Sequence, residues 1–415
     1  MLPPPVKEPG EGGSMDPSRI SLTGPLAPHR ESLWAELRAQ RYTPLSSANL
    51  VRVMAHLSRW LAANELDPAE LTEERLEKFL VCRRAAGYTA WLSRRGLTPI
   101  VAHLRRVGVV PAAPDESRAA TPLEELLQKY EQYLLQERGL VPMTVQNYVR
   151  VVRRFLSRRS GEGLDLVGLG AADITSFVIA EARRWSVGTA KLSVTALRSL
   201  LRYLYLRGAV SVDLAAAVPA VAGYRLSGLP KALQPEQVEQ LLRSVDRDTP
   251  NGRRDYAVLV LLARLGLRRG EVASLELEDV HWARGEITVH GKGNRRETLP
   301  LPEDVGQAVA DYLRWGRPAS PCRSLLLTAR APYRGVASSA VAAIVNQAAA
   351  RAGLGGLGAH ALRHTAATRM LAHGASLPEI AQVLRHRSLE TTAIYAKVDR
   401  EALRSLCRRW PGRWS

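Results

Sequence analysis

Three stretches rich in proline, glycine and small polar residues cut this chain and bound what it can fold into. Residues 1–30 open with MLPPPVKEPGEGG, VVPAAPDESRAATP runs from Val109 to Pro122, and AVPAVAGYRLSGLPKAL runs from Ala217 to Leu233. Proline removes a backbone donor and the small polar residues bury little, so each stretch ends a folded segment. Of the 415 residues, three segments remain: 31–110, 121–215 and 232–400, with residues 216–231 as a linker and 401–415 as a tail. Each segment has the size of a small domain.

The first two segments resemble each other. A shift of 98 residues, without gaps, places Pro44 on Pro142, Asn49 on Asn147, and Val51-Arg52-Val53 on Val149-Arg150-Val151. The same shift places Leu71 on Leu169, Leu76 on Ile174 and Phe79 on Phe177. Both segments read as all-helical. LEELLQKYEQYLLQERG and TALRSLLRYLYLRG space their apolar residues three and four apart, and Gly208 closes the second as a C-cap.

The third segment is mixed. Pro235 suits the first turn of a helix, and DYAVLVLLARLGL reads as a buried one. EITVHGKGNRRETLPL alternates Ile287, Val289, Leu299 and Leu301 around a GKGN turn, which predicts a β-hairpin. Ser376 and Glu379 form a capping-box pattern at a later helix start. The expected fold is therefore mostly α with a small β-hairpin or sheet: helical N-terminal domains followed by a mixed α/β domain.

Net charge of +18 requires an acidic partner, and nucleic acid comes first because neutralising phosphates drives its binding. All but seven of the 58 basic residues are arginine, whose planar fork suits phosphate oxygens. A membrane surface would need an amphipathic basic helix or an anchor, and neither is present. Cys82, Cys322 and Cys407 lie far apart without metal-ligand spacing, so neither zinc nor a disulfide framework is expected, and the compartment reads as the reducing cytoplasm.

Several residues carry chemistry. His360 and Arg363 stand three apart and share a helix face. Arg268 precedes Glu271 by three positions; the pair is either an ordinary ion pair or a phosphate clamp set by its carboxylate. Lys292 sits between Gly291 and Gly293 at the hairpin tip, and unlike arginine it can give up a proton. His386 and Tyr395 are nine apart, on opposite sides of any unbroken helix, but Ser388 offers an N-cap that breaks it between them. Alone, each has an ordinary structural explanation.

In order along the chain, these residues resemble the tyrosine recombinase (phage integrase) family. Gly266-Leu267-Arg268 with Glu271 matches its first arginine motif, and Gly291-Lys292-Gly293-Asn294 its hairpin lysine. His360-Ala-Leu-Arg363-His364-Thr365 matches the second box, and His386 through Thr391-Thr392 to Tyr395 the third. One position departs: Leu384-Arg385-His386 replaces the usual Leu-Gly-His. The resemblance extends over 232–400 and, more loosely, over 121–215, which resembles the family's helical core-binding domain.

The resemblance implies a site-specific recombinase acting on double-stranded DNA without cofactor or metal. Tyr395 would form a 3′-phosphotyrosyl link and release a 5′-hydroxyl. Arg268 and Arg363 would hold the non-bridging oxygens, Lys292 would protonate the leaving oxygen, His360 would assist proton transfer, and His386 would hydrogen-bond the phosphate. The family's tetrameric synapse makes a homo-oligomer, or related recombinases, the expected protein partner. Two other readings share these residues: a type IB topoisomerase-like enzyme, and a non-catalytic DNA-binding accessory protein.

Overall fold

The computed structural model describes residues 19–111, 121–158, 164, 166, 168–222, 232–291, 295–386, 388 and 391–398. The hairpin tip with Lys292 and the tail after Val398 lie outside the described residues. The chain divides into two compact units, one of residues 1–107 with 228–415, the other of residues 108–227.

The first unit opens with a helical bundle: α1 (Arg30–Ala39), α2 (Pro44–Ala63), α3 (Glu73–Ala85) and α4 (Arg94–Arg106). Side-chain oxygens of Thr43, Thr72 and Ser93 accept the otherwise unpaired N–H groups at the starts of α2, α3 and α4. Leu37, Leu50, Met54, Leu57, Phe79 and Ile100 fill the centre, each at most 1% exposed.

The second unit repeats this plan with α5 (Pro122–Gln132), α6 (Pro142–Leu156), α7 (Ala171–Ala182) and α8 (Val187–Leu206). Here α5 runs on into a π-helical turn over Tyr133–Glu137. Gly208 takes the left-handed conformation (φ +69°) that ends α8. Pro44 and Pro142 each open a helix 98 positions apart. Their followers Phe79 and Phe177, and Leu76 and Ile174, are buried in both bundles.

The remainder of the first unit is mixed. It comprises α9 (Pro235–Arg243), α10 (Pro250–Leu265), α11 (Arg269–Ala273), β1 (Val280–His281), β2 (Glu286–Gly291), β3 (Arg295–Pro300), α12 (Glu303–Trp315), α13 (Ser338–Arg351), α14 (Ala359–Ala372) and α15 (Leu377–Val383), then a short 3-10 turn over Ala393–Val398. The strands form an antiparallel sheet in the order β1-β2-β3, with Ile287 opposite Leu299 and Gly291 opposite Arg295. Thus the hairpin predicted from alternation is present, with Ile287, Val289 and Leu299 turned to the core. The apolar helix α10 packs against α12 and α14, with Ala257 through Leu262 buried without a break. That packing fixes both ends on which the functional side chains sit: the C-terminus of α10 and the first turns of α14.

Candidate active site

The chain leaves α10 through Gly266, left-handed at φ +59°. A Cβ there would come within 2.7 Å of Leu384 Cδ2, so a larger residue would also displace that side chain. Two residues on, Arg268 stands at the N-cap of α11. Glu271 holds it twice: Oε2 accepts the Arg268 backbone N–H at 2.8 Å, and Oε1 pairs with Nη1 at 2.5 Å. The Arg268 side chain remains 42% exposed, whereas that of Glu271 is 4% exposed. Burial alone would raise the Glu271 pKa. The guanidinium of Arg385, with the bonds from Arg268, holds it below the usual carboxylate range.

Arg363 is buried on α14 at 1% exposure. Its Nη1 donates to the Gly266 carbonyl at 2.7 Å, and its Nη2 donates to the Leu384 carbonyl. Burial and then the charge of Arg268 push its pKa down to about 10, which leaves it cationic at neutral pH. Arg268 and Arg363 therefore belong to one charge cluster, anchored by main-chain and carboxylate acceptors on α10, α11 and α15's exit.

The imidazoles lie around it. His360 opens α14 and stands edge-on to His364, one turn later, with ring centroids 4.4 Å apart. Burial and then Arg363 and Arg268 hold His360 below its usual pKa. His386 Nδ1 lies 2.6 Å from the buried hydroxyl of Thr392. Burial, followed by Arg363 and Arg268, drives His386 to about 4.

Tyr395 is 1% exposed and packs with Ala367, Ile380 and Leu384. Its hydroxyl lies 3.0 Å from Nδ1 of His364. Burial raises its pKa, and the charge of Arg363 pulls in the opposite direction. His364 is pushed down to about 4 by burial, then by His360 and Arg363, so it is neutral at physiological pH. A neutral imidazole with its proton on Nε2 accepts the phenolic O–H at Nδ1. The α15 helix ends at Val383, so His386 and Tyr395 are on separate elements.

Five of the six sequence-predicted residues, Arg268, His360, Arg363, His386 and Tyr395, are thus drawn into one neighbourhood; Lys292 lies outside the described residues. Sequence reasoning missed two participants. His364 was only a letter of the second box, yet it touches the Tyr395 hydroxyl. Thr392 orients His386. Among the described residues no group of His, Cys, Asp and Glu is arranged to hold a metal ion.

Comparison with known proteins gives the family. The phage integrase family model matches residues 231–402, and the phage integrase N-terminal SAM-like domain model matches 127–208. A Sinorhizobium fredii protein named as an integrase/recombinase, y4rA, is 43% identical over 378 residues, covering 89% of this chain and 91% of its own. The chain belongs to the phage integrase, or tyrosine recombinase, family. Tyrosine recombinase XerD of Mycobacterium tuberculosis is 32% identical over 306 residues, covering 69% of this chain and 96% of its own. Among solved structures, a lambda integrase fragment bound as a dimer to a core site matches with a TM-score of 0.52 at 18% identity, over 69% of this chain and 97% of that one. The XerH recombinase in a post-cleavage complex with DNA matches with a TM-score of 0.53 at 18% identity, over 70% and 97%. These structural likenesses concern the fold. Family membership makes the chain a site-specific DNA recombinase.

Departure from the family pattern at position 385 has a structural counterpart. Arg385 takes the left-handed conformation, φ +55°, where a glycine would be at ease. Its guanidinium turns inward and Nη2 pairs with Glu271 Oε2 at 2.8 Å, with both side chains almost fully buried. Its carbonyl accepts from Arg268 Nη2 at 3.2 Å. The arginine therefore adds a second brace to the carboxylate that positions Arg268.

Proposed function

We propose that this recombinase cuts one DNA strand at a time through Tyr395 and that Arg268, Lys292, His360, Arg363 and His386 serve that step. The phenolic oxygen bonds to phosphorus, the P–O5′ bond breaks, and a 3′-phosphotyrosyl link remains. Negative charge growing on the non-bridging oxygens meets the guanidinium groups of Arg268 and Arg363. His386, held by Thr392, hydrogen-bonds the same phosphate. The phenolic proton passes to Nδ1 of His364, with His360 edge-on behind it. The approaching phosphodiester offsets the arginine charge that, after burial, keeps these imidazoles weakly basic. Lys292 supplies the proton that the 5′-oxygen takes up as it leaves. Rejoining reverses the step with another strand's 5′-hydroxyl, and the retained phosphoester makes an outside energy source unnecessary.

The single observation that carries this reading is the buried Tyr395 hydroxyl resting on His364, one residue after buried Arg363 on the same helix. Residues 121–215 act as the core-binding domain and 31–110 as its duplicate, adding a further contact. The working assembly is a tetramer on two paired sites, the DNA belongs to a mobile element moved by transposition or integration, and the chain works in the cytoplasm. A nicked suicide duplex carrying the ends of that element tests the chemistry. Wild type should become covalently attached, with the adduct mapped to Tyr395, and Tyr395→Phe should give none. His364→Ala should slow attachment by about 100-fold or more, as expected for loss of a proton acceptor. An adduct on any other residue would overturn the assignment.

A further inference from the structure

The first bundle contains a charge cluster that the reaction at Tyr395 does not use. Arg83, on α3, is 3% exposed. Its Nη2 donates to the Ala90 carbonyl at 3.2 Å, and its guanidinium carbon lies 4.3 Å from the ring centroid of Tyr88. Its Nε and Nη1 are buried with no acceptor. Two side chains of α2 share that condition, at Nδ1 of His56 and Nε of Arg59. The His56 ring stands edge-on to Tyr88 at 4.9 Å, so α2 and α3 both bring polar groups to that ring. Among the described residues no carboxylate pairs with Arg59 or Arg83.

Buried guanidinium and imidazole nitrogens are normally satisfied. Four that are not, from two cations and a histidine, concentrate positive charge and unused hydrogen-bonding atoms around the Tyr88 ring. The second bundle shows how the same scaffold can close such a place. At the position 98 residues beyond Arg83 stands Glu181, fully buried, with Arg158 Nη2 at 2.5 Å and Arg154 Nη2 at 3.2 Å from its oxygens. At this position the second bundle carries its own anion, whereas the first carries a cation beside further cations.

We propose that Arg83, Arg59 and His56 form a phosphate-binding site and that its occupant is a backbone phosphate of DNA, which makes the first bundle a DNA-contacting module. A phosphate offers several acceptor oxygens in the geometry of the guanidinium fork. Choosing DNA as the source rests on the recombinase reading; the anion chemistry does not. His56, driven to about 4 by burial and then by Arg83 and Arg59, reports the same positive field.

The test uses the full chain, with Arg59→Gln and with H56R/R83E, which copies into the first bundle the residues found at these positions in the second. One arm measures thermal unfolding in inorganic phosphate against chloride at matched ionic strength. The other measures affinity for a mixed-sequence duplex over a range of salt. We expect phosphate to raise the unfolding midpoint of wild type and of neither variant. We expect the slope of log affinity on log salt to fall by about one in both variants, as for one lost phosphate contact. Protection by phosphate with an unchanged slope would overturn the DNA assignment and leave a free anion as the ligand. Absence of both effects would overturn the site. Attachment to the suicide duplex separates these results from the catalytic reading: a failed site leaves the Tyr395 adduct of wild type intact, whereas a failed recombinase reading removes it.

Discussion

The two helical bundles run matching helices in the same order, yet they treat one buried position in opposite ways. In the second, Glu181 is 0% exposed and takes two arginine side chains that reach it from half-exposed positions. In the first, the matching residue is Arg83, with Arg59 and His56 beside it. Both bundles retain an aromatic under the charge: Arg83 lies 5.8 Å from the Phe79 ring, and Arg158 lies 4.9 Å from that of Phe177. Matching helices thus determine where a charge can be buried. The sign at that position decides whether the module satisfies itself or looks outward.

The largest effect that would sharpen this contrast is on stability. Glu181→Ala removes the centre of a paired cluster and leaves a cavity, at a cost of about 2–4 kcal/mol. The two arginines can return to water, which keeps the cost at the lower end of that range. Arg83→Met keeps an apolar stem against Tyr88 and Phe79 while deleting a buried cation with unpaired donors, and should change stability by less than about 1 kcal/mol. Urea unfolding of both variants measures the difference. Equal losses would mean that the two positions do the same structural work, and the contrast would be gone.

The catalytic part offers an intermediate case. Glu271 is as buried as Glu181, but its partners Arg268 and Arg385 differ in exposure: the Arg268 side chain is 42% exposed and that of Arg385 3%. Arg385→Gly relieves about 1 kcal/mol of left-handed backbone strain and removes the buried partner, which is worth about 3–5 kcal/mol. A net loss of roughly 2–4 kcal/mol follows, reduced to the extent that Arg268 folds inward. Denaturant unfolding gives the net, and single-turnover attachment shows whether Arg268 still meets phosphate. A more stable Arg385→Gly protein would place the arginine there for some reason other than bracing Glu271.

Much of this arrangement was legible in the sequence, and the remainder was not for identifiable reasons. The hairpin followed from the alternation of Ile287, Val289 and Leu299, because a two-residue period has one buried outcome. The constant offset showed in the sequence, and the helices opening at Pro44 and Pro142 keep it. The arginines and Tyr395 were singled out by the resemblance of their motifs, taken in order, to those of the family. What escaped was tertiary. His364 meets Tyr395 only because the Ala393–Val398 turn packs onto α14, and no local pattern encodes that contact. Arg385 read only as a departure from the usual Leu-Gly-His; its inward guanidinium meets Glu271, 114 positions earlier. The exchange of Arg83 for Glu181 escaped because an isolated charge on an amphipathic helix usually faces solvent. The π-turn at Tyr133–Glu137 breaks no propensity rule and gave no signal.

The smallest expected effect is on the pH dependence of stability. His56, His364 and His386 are each held near a pKa of about 4 in the folded chain, well below the ordinary 6.5. Between these values the unfolded chain binds protons that the folded chain does not, so stability falls as pH drops from about 6.5 toward about 4. Above about pH 4.5 the carboxylates contribute little, since Glu271 is held below that value. The window from 6.5 to 4.5 therefore belongs to the histidines. In the second bundle the position matching His56 is Arg154, so that bundle has no imidazole there. His360 is also held below its usual value, so His56→Arg should flatten the decline over this window by roughly a quarter to a third. Urea midpoints at half-unit pH steps would show it. An unchanged slope would mean that His56 stays as easily protonated in the folded bundle as in the unfolded chain. That result would remove the positive field that distinguishes the first bundle from the second.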